Sequence, residues 1–167
     1  MELTQARVRE LFDYDPDTGI LRRRIDRYRA RSGQEAGWPD ADKKCNGRMR
    51  ITIDYKKYFV HRVVWLWVHG ELPKHEIDHR NGDAGDNRLG NLREATRREN
   101  GRNTRRPRTN TSGVKGVFWD KERSKWHAQI HVDGQLIFLG RFDAKLEAHA
   151  AYWAAARDLF GEFARVE

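Results

Sequence analysis

Cysteine and long apolar runs are both scarce in this chain. Cys45 is its single cysteine, so no disulfide can form within the chain, and the lack of partner cysteines argues against a structural zinc site. No apolar run approaches the roughly 18–20 residues that span a bilayer, and the first residues lack the basic and apolar regions of a signal peptide. We therefore expect a soluble, intracellular protein with no membrane partner, in which oxygen and imidazole hold any metal.

Acidic residues are also too few to balance the basic ones. The chain has 33 Lys and Arg against 25 Asp and Glu, and a pI near 9.9. Residues 114–167 are balanced in charge, whereas the segment 93–108 holds seven arginines against two glutamates. Such a segment is dense enough to follow a phosphate backbone, although composition alone also allows a solvated or disordered linker. A polyanionic partner is the first expectation.

The N-terminal third shows alternating helix, turn and strand signals. Thr4 precedes helically spaced apolar residues, and the turn-forming segment 15–19 must end that helix. Residues 49–53 and 58–60 alternate in polarity around a polar turn, which indicates a β-hairpin. This region is therefore predicted to be rich in short strands.

A compact apolar run follows at residues 63–68. It could be a buried strand or a short helix closed by Gly70, and we favour the helix. Trp65 and Trp67 within it are interpreted as core residues because nothing polar interrupts them. His61 just before the run could lie near a site, although a histidine at the boundary of an element more often caps or packs.

The segment 76–100, EIDHRNGDAGDNRLGNLREATRREN, predicts a strand, a long loop, a second strand and a helix. Thr96 and Glu99 form a capping box that starts the helix and leaves Asn100 in its first turn. A rival box of Asn91 with Glu94 would start the helix earlier and remove the second strand. We prefer Thr96, because Asn100 can then face the strands.

This arrangement can bring together Asp78, His79 and Asn100. Asp78 and Asn100 supply the oxygen ligands that a hard cation such as Mg²⁺ prefers, and His79 can accept a proton from water near neutral pH. Hydrolysis of a phosphodiester needs both kinds of assistance. Neighbouring residues in a regular strand point to opposite faces, so the strand must bend or end here. From residue types alone, an incidental Asp-His pair in a loop remains an alternative.

The loop between the two strands consists of ordinary turn formers. We assign no catalytic role to its Gly, Asp and Asn residues, which are Gly82, Asp83, Gly85, Asp86 and Asn87.

The chain resembles HNH nucleases, in the subgroup of phage and intron homing endonucleases. Residues Tyr14 to Gly19 are similar to the opening of prophage members, and the signature itself is matched at His61-Arg62, Ile77-Asp78-His79, Asp86-Asn87-Arg88, Asn91-Leu92-Arg93, Thr96 and Glu99-Asn100. The likeness extends over about residues 55 to 103. It implies a ββα-metal fold with one divalent ion, Mg²⁺ or Mn²⁺. It makes His79 the general base and Asp78 and Asn100 the metal ligands. Asn91 is then the residue that braces the loop and orients the histidine.

The last third of the chain has the strand, turn and helix signals of a separate domain. Residues 114–119, 125–132 and 135–141 are predicted strands, with Asp133-Gly134 as a tight turn. Asp143 is predicted to cap an alanine-rich helix closed by Gly161. Four residues of that helix are expected to pack rather than to recognise a partner: Leu146, Ala150, Trp153 and Ala154.

The segments Gly113-Val114-Lys115-Gly116-Val117 and Lys125 to Ile130 resemble the DNA-binding domain of plant ethylene-response factors. The resemblance implies a three-stranded sheet that enters the major groove. Alternation in the second strand, 125–132, places His127, Gln129 and His131 on a polar face and Trp126, Ala128, Ile130 and Val132 on an apolar face. Lys115 in the first strand is expected to join the polar face. Phe118, Leu136 and Phe138 stand where the plant proteins carry arginine or tryptophan. The predicted DNA-binding residues are Arg98, Arg102, Arg105, Arg106, Arg108, Lys115, Lys125, His127, Gln129 and His131.

Taken together, the sequence predicts an α+β protein with four parts: a β-rich region (1–60), an HNH core (61–103), a basic linker (104–112) and an ethylene-response-factor-like domain (113–167). The predicted function is a metal-dependent endonuclease acting on double-stranded DNA in the cytoplasm of a bacterial or phage-infected cell. One site cuts one strand, so a monomer would nick and a homodimer could cut both strands. The alternative is a non-catalytic DNA-binding regulator on a nuclease scaffold.

Overall fold

The protein mixes helices and strands in two compact units, Met1–Arg97 and Arg98–Glu167. The computed structural model describes residues 2–26, 30–42, 47–104, 106 and 109–165. Across these ranges, no helix combines the length and the apolar character needed to cross a membrane.

The first unit contains short antiparallel sheets around two helices. Its elements in chain order are α1 (Gln5–Leu11), β1 (Phe12–Tyr14), β2 (Leu21–Arg23), β3 (Trp38–Pro39), β4 (Met49–Ile53), β5 (Lys56–Phe59), α2 (Val60–His69), β6 (Glu76–His79) and β7 (Leu92–Ala95). The sheets are β1–β2, β3–β4–β5 and β6–β7. The Thr4 hydroxyl accepts a hydrogen bond from the Arg7 amide at 3.3 Å, so the predicted start of α1 is confirmed.

The apolar run before Gly70 forms α2, and the preference for a helix is confirmed. Gly70 ends it in the left-handed region with φ 86°. Val63 and Val64 are fully buried against Ile51 of the β4–β5 hairpin, in the same core as Val8 of α1. Ile77 of β6 and Leu92 of β7 are buried in the same core, which therefore anchors both strands.

The β6–β7 pair and the helix after it follow the predicted order of strand, strand and helix. A short 3₁₀ turn, Leu89–Asn91, precedes β7, and α3 (Arg97–Arg102) begins immediately after Thr96. The rival assignment, in which a helix starting at Asn91 replaces the second strand, is therefore wrong. The order fits a ββα-metal nuclease core.

The second unit is a three-stranded antiparallel sheet packed on one helix, as predicted. Its strands are β8 (Val117–Asp120), β9 (Lys125–Val132) and β10 (Gln135–Phe142), in the order β10-β9-β8, followed by α4 (Lys145–Phe160). Ala128 and Ile130 of β9 are buried, which confirms the predicted apolar face of that strand.

The face of α4 that packs on the sheet was predicted wrongly. Leu146 and Trp153 are 79% and 38% exposed, and Ala150 and Ala154 are also exposed. The buried stripe instead repeats every four residues: Ala148, Tyr152, Ala156 and Phe160. Small alanines let the helix approach the sheet, and the ring of Tyr152 then covers Gly116, where a Cβ would lie 2.2 Å from it.

The cap of α4 was also predicted wrongly. The N-cap is Ala144, whose amide donates to the Glu147 carboxylate at 3.5 Å. Asp143 instead accepts hydrogen bonds from Lys125 at 2.8 and 3.0 Å, because the strand pairing brings that ammonium beside it. Gly161 ends the helix as predicted, with φ 54°.

Candidate active site

The β6–β7 pair carries three buried polar side chains at its centre. Asp78 lies opposite Arg93 and His79 lies opposite Leu92 in the antiparallel register. Asp78, His79 and Arg93 are each only 5% exposed. Strand β6 ends at His79, where the carbonyl of His79 accepts from Gly82, so the predicted break in the strand is present.

Asp78 and Arg93 form a buried ion pair. Arg93 donates from Nε and Nη2 to Oδ2 of Asp78 at 2.9 and 2.7 Å. A buried carboxylate needs such a partner, since an unpaired charge away from water is costly. Arg93 belongs to the basic segment 93–108 that was predicted to follow a phosphate backbone, and that prediction is wrong for this buried residue. Its guanidinium fixes the Asp78 carboxylate inside the unit.

The imidazole of His79 lies in an enclosed environment. Its Nε2 is 3.3 Å from Oδ1 of Asn87, and its ring meets His61 edge-on at 5.2 Å between centroids. Burial lowers the pKa of His79 below its ordinary value, and the contact with Asn87 opposes that shift. The ring is therefore predominantly neutral near pH 7, which is the form that accepts a proton.

His61 is a second buried histidine beside His79. It stacks on Phe59 at 5.4 Å, and its Nδ1 has no hydrogen-bond partner among the residues that the structure describes. Burial is the main reason that its pKa is lowered to about 3. His61 therefore stays neutral and packs against the His79 ring, in line with the packing role that its position at the start of α2 favours.

Asn91 ties together the two arms of the loop between β6 and β7. Its Oδ1 accepts from the Asn81 amide at 3.0 Å and its Nδ2 donates to the Asp86 carbonyl at 2.8 Å. Its own carbonyl accepts from Arg80 at 2.8 Å. These contacts hold the loop together, and the predicted role of Asn91 in orienting His79 stays a prediction.

The loop itself holds a carboxylate that sequence analysis read only as a turn former. Asp86 pairs with Arg88 at 2.6 Å, and this contact is the main reason that the pKa of Asp86 falls to about 2. The pair strengthens the turn that leads into the 3₁₀ segment.

Asn87 is the site residue that sequence analysis missed. It is 5% exposed and its Oδ1 faces His79, whereas its sequence context indicates only a turn. The contact depends on how the long loop folds back over β6. The resemblance to HNH nucleases includes Asp86-Asn87-Arg88, but it gives Asn87 no role.

Two comparisons with known proteins bear on this geometry. The HNH endonuclease family model matches residues 58–102, which include β6, β7 and their loop. Protein 3.8 of Escherichia phage T7 is 37% identical over 116 residues, which cover 66% of this chain and 95% of that protein. The chain belongs to the protein 3.8 family and carries an HNH endonuclease domain. No solved structure matches it.

The remaining predicted residue of the HNH site, Asn100, lies on α3 within the second unit. Its side chain is half-buried. Its role as a metal ligand stays a prediction. No group of three or more His, Cys, Asp or Glu side chains suited to a metal occurs within the described ranges. The predicted ligands are the carboxylate of Asp78 and the amide of Asn100, which do not make up such a group of three, so this finding does not test them.

The predicted DNA-binding arginines of this chain fall into three groups. Arg98 and Arg102 lie near Asp133 at 3.4 and 3.6 Å, and Arg102 also lies over the ring of Phe160. Arg106 is exposed. Arg105 and Arg108 lie outside the described residues.

Lys115 precedes the first strand of the C-terminal sheet, although it was expected within that strand. Its Nζ donates to the carbonyls of Arg102 and Thr104 at 3.3 and 2.8 Å. Burial lowers its pKa. The contacts make Lys115 a brace between the start of the unit and its sheet, and its predicted contact with DNA stays a prediction.

The face of the C-terminal sheet opposite α4 carries an aromatic row. His127 stacks on Phe118 at 4.4 Å and contacts Phe138 at 4.9 Å. Both phenylalanines are about half exposed, at 41% and 52%. Gln129 and His131 continue the same face of β9, as alternation predicts.

Proposed function

We propose that this protein is a metal-dependent HNH endonuclease that hydrolyses phosphodiester bonds in double-stranded DNA within a phage-infected cell. The observation that carries the proposal is the buried imidazole of His79 directly after the buried carboxylate of Asp78. Both lie at the end of β6, inside the segment that matches the HNH family. A neutral base beside an oxygen ligand is the minimum that phosphodiester hydrolysis requires.

His79 acts as the general base in this proposal. Its lowered pKa keeps the ring ready to accept a proton from the attacking water at neutral pH. Asn91 braces the loop that covers the ring, through its contacts with Asn81 and Asp86. Both roles use contacts inside the first unit.

Asp78 and Asn100 are the proposed ligands of one Mg²⁺ or Mn²⁺ ion. A carboxylate and an amide oxygen are donors that suit a hard cation, and the ion pair with Arg93 fixes the position of the Asp78 carboxylate. When bound, the ion would stabilise the charge that develops on the phosphoryl and leaving oxygens.

The second unit is proposed to hold the DNA. Its sheet resembles the ethylene-response-factor domain, and Gln129 and His131 on the face opposite α4 would contact base edges. Arg98, Arg102 and Arg106 would contact phosphates. Lys125 is paired with Asp143, so it would add little net charge to this surface.

One active site per chain cuts one strand, so a monomer is expected to nick. The test is incubation of supercoiled plasmid with Mg²⁺ or Mn²⁺, for the wild type and for His79→Ala. We expect nicked circles from the wild type and at least a hundredfold slower nicking from the variant. Equal inactivity of both, together with tight binding that needs no metal, would instead identify a DNA-binding regulator.

A further inference from the structure

The side chain of Asn87 has a fixed orientation against His79. Its Nδ2 donates to the carbonyl of Gly85 at 3.3 Å, and its Oδ1 lies 3.3 Å from Nε2 of His79. A carbonyl can only accept, so the contact with Gly85 decides which end of the amide is the NH₂ group. The oxygen must therefore face the imidazole.

This orientation determines the tautomer of the histidine. An amide oxygen can only accept a hydrogen bond, so Nε2 of His79 must carry the proton. In the neutral ring, Nδ1 is then the basic nitrogen. Asn87 thus selects which ring nitrogen can accept a proton from water.

Asn87 is in turn held by the N-terminal segment. The Tyr14 hydroxyl, itself buried, donates to the Asn87 carbonyl at 2.9 Å. Gly19 approaches the same backbone so closely that a Cβ there would lie 2.7 Å from the Asn87 carbonyl carbon and 2.5 Å from the Arg88 nitrogen. Its φ of 74° also favours glycine. The turn after β1 therefore packs directly on the loop that carries Asn87.

We propose that Asn87 is a positioning residue that sets the ring and tautomer of His79, and that Tyr14 and Gly19 hold Asn87 in place. The inference rests on the proposed role of His79 as general base. It assigns the N-terminal segment a part in the chemistry, although that segment lies outside the residues that match the HNH family.

The first experiment is Asn87→Leu, which keeps the size of the side chain and removes the acceptor. The ¹³C and ¹⁵N chemical shifts of His79 report its tautomer. We expect the wild type to show the proton on Nε2 and the variant to show a mixture of tautomers. We also expect kcat for nicking to fall about 10- to 100-fold, with KM for DNA unchanged. Asn81→Leu is the matched control, because Asn81 contacts Asp83 and Asp86 rather than the ring. The control should keep the wild-type tautomer.

The second experiment keeps the loop sequence intact. Tyr14→Phe removes only the hydroxyl that reaches Asn87, and Tyr58→Phe removes a hydroxyl for which no hydrogen bond is found among the described residues. We expect kcat to fall about fivefold in Tyr14→Phe, because the net free energy of one hydrogen bond corresponds to about that factor. In Tyr58→Phe we expect kcat not to change.

The two proposals fail in different ways. If the wild type does not nick DNA, the proposed function fails, while the His79 chemical shifts still test the role of Asn87. If the wild type nicks DNA and both Asn87→Leu and Tyr14→Phe keep the Nε2 tautomer and the wild-type kcat, the positioning role is wrong and the nuclease assignment stands. Should Asn87→Leu not fold, Tyr14→Phe alone decides.

Discussion

Replacing Arg93 by methionine tests how much the buried ion pair with Asp78 contributes to the stability of the first unit. Methionine has a similar length and no charge, so the change leaves the carboxylate without its guanidinium. Both side chains of the pair are only 6% exposed. Breaking a buried ion pair from one side costs about 3–5 kcal/mol, most of it from the charge left behind. That cost is large compared with the total stability of a small domain.

Hydrogen exchange of the β6 and β7 amides is the appropriate assay, because it reports the local opening of this strand pair in the intact chain. A cost of about 3–5 kcal/mol corresponds to exchange roughly 100- to 5000-fold faster than in the wild type. The double variant Arg93→Met, Asp78→Leu removes both charges. It should recover most of the lost protection, because a well-packed apolar pair can replace a buried ion pair at little cost.

Two results would refute this reasoning. Exchange in Arg93→Met within tenfold of the wild type would mean that the carboxylate reaches water or another partner. Equal exchange in the single and double variants would mean that the guanidinium stabilises the strands by packing rather than by charge.

Three further predictions concern other parts of the chain. Gly116→Ala should lower the free energy of unfolding of the second unit by about 1–3 kcal/mol through overpacking alone, whereas Gly134→Ala, where a Cβ meets open space, should cost only the strain of its positive φ. The pKa of His61 in the folded state is about 3, so between that value and its unfolded pKa only the unfolded state binds a proton on this ring. The free energy of unfolding should therefore fall from about pH 6.5 towards pH 3, by about 2 kcal/mol at pH 5. Urea titrations of His61→Phe should show a weaker dependence of stability on pH. Arg98→Gln should weaken binding to every DNA sequence and reduce the salt slope by about one, whereas Gln129→Ala should change which sequence is preferred.

Each of these predictions has a clear contrary outcome. Equal melting temperatures for the two glycine variants would show that the ring over Gly116 moves aside freely. A pH profile of stability that is the same for His61→Phe as for the wild type would place the acid-sensitive group elsewhere. A change in sequence preference from Arg98→Gln would contradict a contact with phosphate alone.

Much of the fold follows from local signals in the sequence. The Thr96 box, the Gly70 cap and the Asp133-Gly134 turn each involve residues within a few positions of one another, and the structure has each element boundary where these signals place it. The alternation of β9 predicts its buried face for the same reason, since the period of a strand fixes which side chains share a face.

The features that sequence analysis missed depend on contacts between distant residues. Arg93 meets Asp78 because of the strand register across a long loop, and Asn87 meets His79 because that loop folds back. The packing face of α4 was missed because alanine gives a weak periodic signal: small residues that allow close approach look the same as small residues that face water. At these positions the role of a residue depends on the distant residue that it contacts, rather than on its own type.

The bond between Tyr14 and Asn87 has a consequence for protein engineering. A chimera that transplants only residues 58–102 onto another protein would leave behind the strand that carries Tyr14 and the turn that carries Gly19. The loop of this chimera would keep the residues that match the HNH family and would lose its contacts with Tyr14 and Gly19. A transplanted segment that keeps this loop in its present conformation must therefore include β1 and the turn after it.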